Sequence, residues 1–240
     1  MLPARSLVIP MFNEASRIGA SLVALVQSPL NVAEIEFVLV DDGSTDGTAE
    51  LAEKLAADAG LPVRVVRLGV NRGKGAAVRA GMLQATGLTR AYVDADLSVS
   101  LEDIDACFAQ LEAGSAEVVF ATRAHSNSDM RSTQPPHRVL SGRAFNFFLR
   151  RLGLTDDRDT QCGLKGFTAP AAEALFGALV TTGFAFDVEL LARASRSGYT
   201  MAPMAVTWNH ADGSRVRPLC DGLDMAWAAL KVRRLVGPKR

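Results

Sequence analysis

Ile35-Glu-Phe-Val-Leu-Val-Asp-Asp-Gly-Ser44 is an apolar strand that runs straight into an acidic turn. The run is too short for a helix, and Asp and Gly close it. Upstream, Ser6-Leu-Val-Ile9 reads as a buried strand stopped by Pro10, and Ile18 to Val26 has helical spacing. Downstream, Thr45 to Ala59 reads as a helix with Thr45 or Asp46 as its cap. Val63 to Arg67 is a third strand, and Asn71-Arg-Gly-Lys-Gly75 opens a helix through about Ala85. Ala91 to Val93 is a fourth strand ending at Asp94, Leu101 to Leu111 a helix, and Val118 to Ala121 a fifth strand. Strands alternating with helices predict an α/β protein with a doubly wound, mostly parallel sheet and flanking helices. In such sheets ligands sit at the carboxyl ends of the strands, where the polar clusters of this chain fall.

The second half is less regular. Residues 124–136 read as a polar loop, and Arg138 to Leu152 as a helix. Asp156 to Gly166 is polar, Pro170 to Leu179 and Phe186 to Ser197 are helices, and Met204 to Trp208 is a strand. With 240 residues, 48% of them hydrophobic, the chain can bury a core as one domain. Lys plus Arg and Asp plus Glu number 26 each, so bulk charge gives no argument for nucleic acid. Three widely spaced cysteines without a CxxC pair argue against a disulfide framework and a zinc site, and a reducing cytoplasm is expected. No run approaches the roughly 18 apolar residues of a membrane span, and no signal peptide precedes Pro10.

Three Asp-x-Asp pairs occur: Asp94/Asp96, Asp103/Asp105 and Asp157/Asp159. The bare pattern carries little weight, so context decides. Asp103 and Asp105 lie inside a helix, where residues two apart point in different directions. They read as solvated surface. Asp157 and Asp159 lie in a loop. Asp94-Ala95-Asp96 follows a strand directly, where a hard divalent cation takes carboxylate oxygens together with substrate phosphates. The bland alternative is helix capping, with Ser98 or Ser100 beside the pair.

The ordered series Val8 to Glu14, Val40-Asp-Asp-Gly-Ser-Thr-Asp-Gly-Thr48, Asn71 to Gly75 with Arg79, and Asp94 to Asp96 resembles the family 2 glycosyltransferases of GT-A fold. Asp159-Thr-Gln-Cys-Gly-Leu-Lys-Gly-Phe167 is similar to the "DTQCGFK" stretch of the dolichyl-phosphate β-glucosyltransferases, and Phe184 to Glu189 to their "WAFDVE". Trp208 to Val216 resembles their late "W…GSK" segment. The Leu97-Ser98 sequel to the triplet looks closer to the dolichyl-phosphate mannose synthases.

The resemblance implies one domain over 1–240, a nucleotide-sugar half (1–123) and an acceptor half (124–240). It implies a nucleotide-sugar donor, UDP-glucose, with Pro10, Phe12 and Glu14 lining the nucleoside pocket and one of Asp41 and Asp42 accepting from the base or ribose. Lys74 and Lys165 would meet phosphate or sugar. The Asp94-Ala95-Asp96 triplet would hold the donor diphosphate and Mg²⁺ or Mn²⁺, with Asp94 and Asp96 the metal candidates: Asp96 is the better metal ligand, and Asp94 would face the ribose or the sugar. The acceptor would be a polyprenyl or dolichyl monophosphate held by Arg123, Arg138 and Arg215. Transfer would invert the sugar without a strong base, which suits a chain whose histidines (His125, His137, His210) lack ligand spacing. A hydroxyl acceptor would need a base, with Asp187 or Glu189 the candidates. Two amphipathic stretches, 144–152 and 227–240, combine aromatic and basic residues and suit peripheral contact with the cytoplasmic face of a membrane.

Overall fold

The computed structural model describes residues 3–28, 30, 32–131, 136–209 and 220–237; for 136–138, 220, 221 and 223 it describes the backbone alone. The first half holds β1 (Arg5–Met11), α1 (Ile18–Val26), β2 (Ile35–Asp41), α2 (Thr48–Asp58), β3 (Val63–Arg67), α3 (Lys74–Gln84), β4 (Thr89–Val93), α4 (Leu101–Glu112) and β5 (Val118–Ala121). Then follow β6 (Asp129–Met130), α5 (Pro136–Arg151), β7 (Leu164–Thr168), α6 (Ala169–Gly177), α7 (Phe186–Arg196), β8 (Met201–Met204), β9 (Thr207–Trp208) and α8 (Cys220–Val236).

Seven strands form one sheet in the order β3-β2-β1-β4-β7-β5-β8. All run parallel except β7, which is antiparallel to both neighbours. Alternate side chains feed two apolar layers, as the period-2 geometry of a strand requires. Leu7, Ile9, Phe37, Leu39, Ala91 and Val93 pack with Ile18, Leu22, Ala52, Ile104 and Phe108 of α1, α2 and α4. Val8, Val38, Val40 and Tyr92 pack on the other side with Val78, Met82, Phe176, Phe186 and Leu190 of α3, α6 and α7. A smaller cluster, Leu149, Leu154, Val188, Ala192, Ala229 and Val232, joins α5 and α8 to the back of α7.

Three expectations change. Helix α2 starts at Thr48 rather than Thr45: Gly47 takes a left-handed conformation at the cap (φ 79°), and Asp46 Oδ1 accepts the Thr48 amide. The stretch 204–208 is two strands, with β8 in the main sheet and β9 paired to β6. The end of the "polar" stretch 156–166 is the start of the central strand β7. Lys165 and the glycines Gly163 and Gly166 break its apolar pattern, yet the strand is buried.

Candidate active site

The parallel strands β1, β2, β4 and β5 end on one edge. Because β7 runs the other way, the loop that enters it, 159–163, reaches that same edge. Val93 is paired with Leu164, which sets Asp94 beside Gly163.

The triplet is a held turn. Ala95 is buried, and its carbonyl accepts a 2.6 Å hydrogen bond from Ser21 Oγ of α1. The Leu97 amide donates to Asp94 O at 3.0 Å, and Leu97 takes φ 46°, an uncommon conformation for a branched side chain. Asp96 Oδ1 accepts from the amide (3.1 Å) and hydroxyl (2.6 Å) of Ser98, while Oδ2 accepts nothing from the described residues. Asp94 Oδ1 lies 2.5 Å from Lys74 Nζ. The oxygen is shut from solvent, and the Lys74 ammonium is the partner that neutralises it. The open Asp96 oxygen and the lysine-paired Asp94 carboxylate, on one strained turn, fit a divalent cation. Among the described residues no third His, Cys, Asp or Glu completes a cluster, so substrate oxygens would supply the other ligands.

Loops after β1 and β2 are stitched together. Asn13, at φ 53°, donates its amide to Ser44 Oγ and accepts the Thr45 amide, both at 2.8 Å. The Glu14 amide donates to Thr48 Oγ1 at 2.7 Å, and the Glu14 carboxylate pairs with Arg17. Pro10 and Phe12 are half-buried on this edge. Asp41 receives the Ser44 amide, and Asp42 uses both oxygens on the amides of Arg72 (2.7 Å) and Gly73 (2.8 Å). Asp42 is therefore a loop-to-loop clamp on this edge. Burial, together with the charge of Asp41, keeps its carboxyl above the usual range against the pull of those amides.

The Gly73-Lys74-Gly75 turn also works differently from the expected anion cradle. A Cβ on Gly73 would lie 2.6 Å from Thr182 O, and one on Gly75 2.7 Å from both Thr181 O and Phe186 Cβ. The glycines admit the 181–183 loop, and the Ala76 amide donates to Thr182 O. What this turn presents to the edge is the Lys74 ammonium. Burial works against its charge, but Asp94 and Asp187 outweigh that and hold it above the ordinary lysine value. Arg79 points away, donating to Phe176 O at 2.9 Å.

Arg123, just past β5, is gripped by Asp159. Asp159 accepts the Arg123 amide (3.0 Å), Nε (2.7 Å) and Nη2 (2.8 Å), and the guanidinium lies 5.6 Å from the Trp208 ring centre. Burial opposes the Asp159 charge; the Arg123 bonds and the Gln161 amide outweigh it and hold the carboxyl below the usual range. A group so depressed adds stability above its unfolded pKa of about 3.9, and loses it as pH falls through the folded value. Asp159→Asn is therefore expected to lower stability at pH 7 while flattening its acid dependence below about pH 4. Urea titrations at a series of pH values check this; parallel curves for the two proteins would refute it.

Sequence reasoning passes over Gly163, which bears no functional group. A Cβ there would collide with Asp94 Oδ2 and lie 2.7 Å from its carboxyl carbon. Gly163→Ala is expected to swing Asp94 out of place and cut kcat by about 100-fold, the effect of misplacing a group by an ångström. The loop is at the surface edge, so stability should fall by only about 1 kcal/mol. Turnover and thermal melting separate the two.

Lys165, expected to meet sugar or phosphate, is instead fully buried. Its Nζ donates to Cys162 O at 2.8 Å and pairs with Asp187 Oδ1 at 2.6 Å, which also accepts the Tyr92 hydroxyl. Burial and the Asp187 charge push the Tyr92 hydroxyl well above its usual range, and burial lifts the Cys162 thiol to about 11. Glu189 is fully buried and accepts the amides of Val180 and Thr181 and the Nε of Arg193. Asp103 is no solvated bystander: it forms a capping box with Ser100 and accepts the Thr207 amide, while Asp105 pairs with Arg5. The His125 imidazole accepts the Asn127 amide in a surface turn. Arg215 and His210 lie outside the described residues, as do the side chains of Arg138 and His137.

The parallel sheet with one antiparallel insert is that of the GT-A glycosyltransferase fold. The solved structure of glucosyl-3-phosphoglycerate synthase from Mycobacterium tuberculosis, in complex with Mn²⁺, UDP and glucosyl-3-phosphoglycerate, shares this fold at TM-score 0.66 and 20% identity, covering 99% of this chain and 81% of that one. A Pyrobaculum calidifontis mannosyltransferase in complex with GDP-Man and Mn²⁺ does so at TM-score 0.63 and 20% identity, over 100% and 77% of the two chains. The sequence profile of Glycosyl transferase family 2 matches residues 6–176, and the chain belongs to that family. Similar curated proteins include the dolichyl-phosphate beta-glucosyltransferases of Drosophila melanogaster (34% identical, 98% of this chain, 76% of the relative) and Homo sapiens (32%, 95% and 74%).

Proposed function

We propose that the chain transfers glucose from UDP-glucose to a polyprenyl monophosphate of the dolichyl type, with inversion, as one domain spanning 1–240. The names of the relatives support the sugar and the lipid. The observation that carries the choice of a phosphate acceptor over a hydroxyl is the state of the two candidate bases. Asp187 is tied to Lys165 and Tyr92, and Glu189 to two amides and Arg193, both away from solvent. Neither is placed to take a proton from an alcohol. A phosphate monoester, with its second pKa near 6, is already largely a dianion at pH 7 and needs no such help.

In this reading Asp96 and Asp94 hold Mg²⁺ or Mn²⁺, which when bound offsets charge on the departing nucleoside diphosphate. Pro10, Phe12, Glu14 and one of Asp41 and Asp42 border the nucleoside, and Lys74 faces the diphosphate. Arg123, Arg138 and Arg215 orient the acceptor, the first with its guanidinium pre-set by Asp159. UDP-glucose, GDP-mannose and UDP-GlcNAc should be offered in turn with a short polyprenyl phosphate or the matching polyprenol, and products followed by mass spectrometry. Glucosylation of the phosphate alone is expected. Transfer to polyprenol, or from another donor only, would overturn the reading.

The same reading has the acceptor reached at a membrane face on the cytoplasmic side, without nucleic acid as partner. No described helix is long and apolar enough to cross a bilayer. Helices α5 and α8 bury one side each against α7 and leave Phe147 (53% exposed) and Trp227 (58% exposed) outward. Each carries a cation one turn on, Arg151 at 5.3 Å and Lys231 at 5.9 Å from the ring centres. Such pairs suit an anionic interface. Phe147→Ser with Trp227→Ser is expected to weaken binding to phosphatidylserine vesicles about tenfold in a sedimentation assay; unchanged binding would remove these helices from the contact.

A further inference from the structure

We propose that Lys74 is a built-in counter-ion that keeps Asp94 from taking a divalent cation until a diphosphate arrives; this rests on the donor and metal reading above. Lys74 Nζ sits 2.5 Å from Asp94 Oδ1, an oxygen shut from solvent. The contact is a close ion pair, and it neutralises Asp94 before any cation arrives. The ammonium is held in this place from several sides. Gly73 and Gly75 bring the start of α3 against Thr181 and Thr182, Asp42 clamps the turn through the Arg72 and Gly73 amides, and the Phe186 ring lies 5.9 Å from Nζ.

An incoming cation at Asp94 therefore meets a resident positive charge. A diphosphate changes the balance, because its oxygens offer Lys74 a new anionic partner on the solvent side and release the carboxylate. Cation and diphosphate must then strengthen each other's binding by the same factor, since the two affinities are linked through one equilibrium. Asp96, whose Oδ1 is fixed by Ser98 and whose Oδ2 is open, retains weak affinity of its own throughout.

The test is Mn²⁺ binding, followed by the loss of the free-ion EPR signal, with and without UDP. Wild type is expected to bind Mn²⁺ weakly alone and much more tightly with UDP. Lys74→Gln is expected to bind Mn²⁺ alone at least about tenfold more tightly and to lose most of the UDP enhancement, within the usual 5–150-fold range of coupling. Lys74→Arg, which keeps the charge, should behave as wild type. Lys54→Gln, on the exposed face of α2, controls for net charge and should change nothing. Equal Mn²⁺ affinity in wild type and Lys74→Gln, or an intact UDP enhancement in Lys74→Gln, would overturn the inference alone. Absence of Mn²⁺ binding in every protein, with UDP present, would overturn the metal reading and this inference together.

Discussion

Asp96→Asn is expected to lower kcat by about 10²–10³-fold, the scale of removing one preorganised charge from a transition state, while leaving the fold intact. The substitution is isosteric. The carbonyl oxygen of the new side-chain amide would still accept the amide and hydroxyl of Ser98, so the turn keeps its two bonds. What is lost is the open oxygen and its charge. Asp105→Asn is the contrasting control: it sits in a pair of the same Asp-x-Asp pattern but only touches Arg5 on the surface, and turnover should not change. Steady-state kinetics with thermal melting on both variants decide the matter. An Asp96→Asn enzyme that keeps more than about a tenth of its turnover would remove Asp96 from the chemistry.

Lys165→Met carries the largest expected cost in stability, about 3–5 kcal/mol. The methionine fills much of the lysine's space, but Asp187 stays buried with its cation gone. Against a typical total of about 5–15 kcal/mol this is a large share, and it corresponds to roughly a 10 °C fall in Tm. The double variant Lys165→Met with Asp187→Leu should recover most of the loss, since an apolar pair of similar volume often matches a buried ion pair. Urea unfolding of the single and double variants is the measurement. A single-variant loss under about 1 kcal/mol, or a double variant no better than the single, would show that the pair is not coupled in this way.

Much of the first half was legible because each of its strands is a short apolar run closed by a turn. Ile18–Val26 and Val118–Ala121 match their expected bounds, and Asp94 and Asp96 stand at the strand end where periodicity put them. The misses at the site share a physical source: polar residues whose partners are distant in sequence. Lys165 looks like a loop lysine until Asp187, on a helix 22 residues later, neutralises it, and with Lys165 read as polar the central strand disappears from view. Asp42 and Asp103 carry the same ambiguity; the amides they bind belong to residues 72–73 and 207. Asn13 had a local signal, since asparagine tolerates positive φ, but its bonds to Ser44 and Thr45 needed the tertiary structure. Gly163 was visible only as part of a motif; its contact with Asp94 follows from the β4–β7 register.

That register also governs how the molecule is made. Strand β7 lies between β4 and β5 but is synthesised about forty residues after β5. On the ribosome β4 and β5 must wait, each with a naked edge, for a strand that arrives late and points the wrong way for a βα crossover. Closing a sheet in that order demands pairing across long sequence separations, which slows folding and lengthens the time an edge is open to other nascent chains. A chain cut after residue 123 would have β4 and β5 without the strand that joins them: a sheet with its keystone missing.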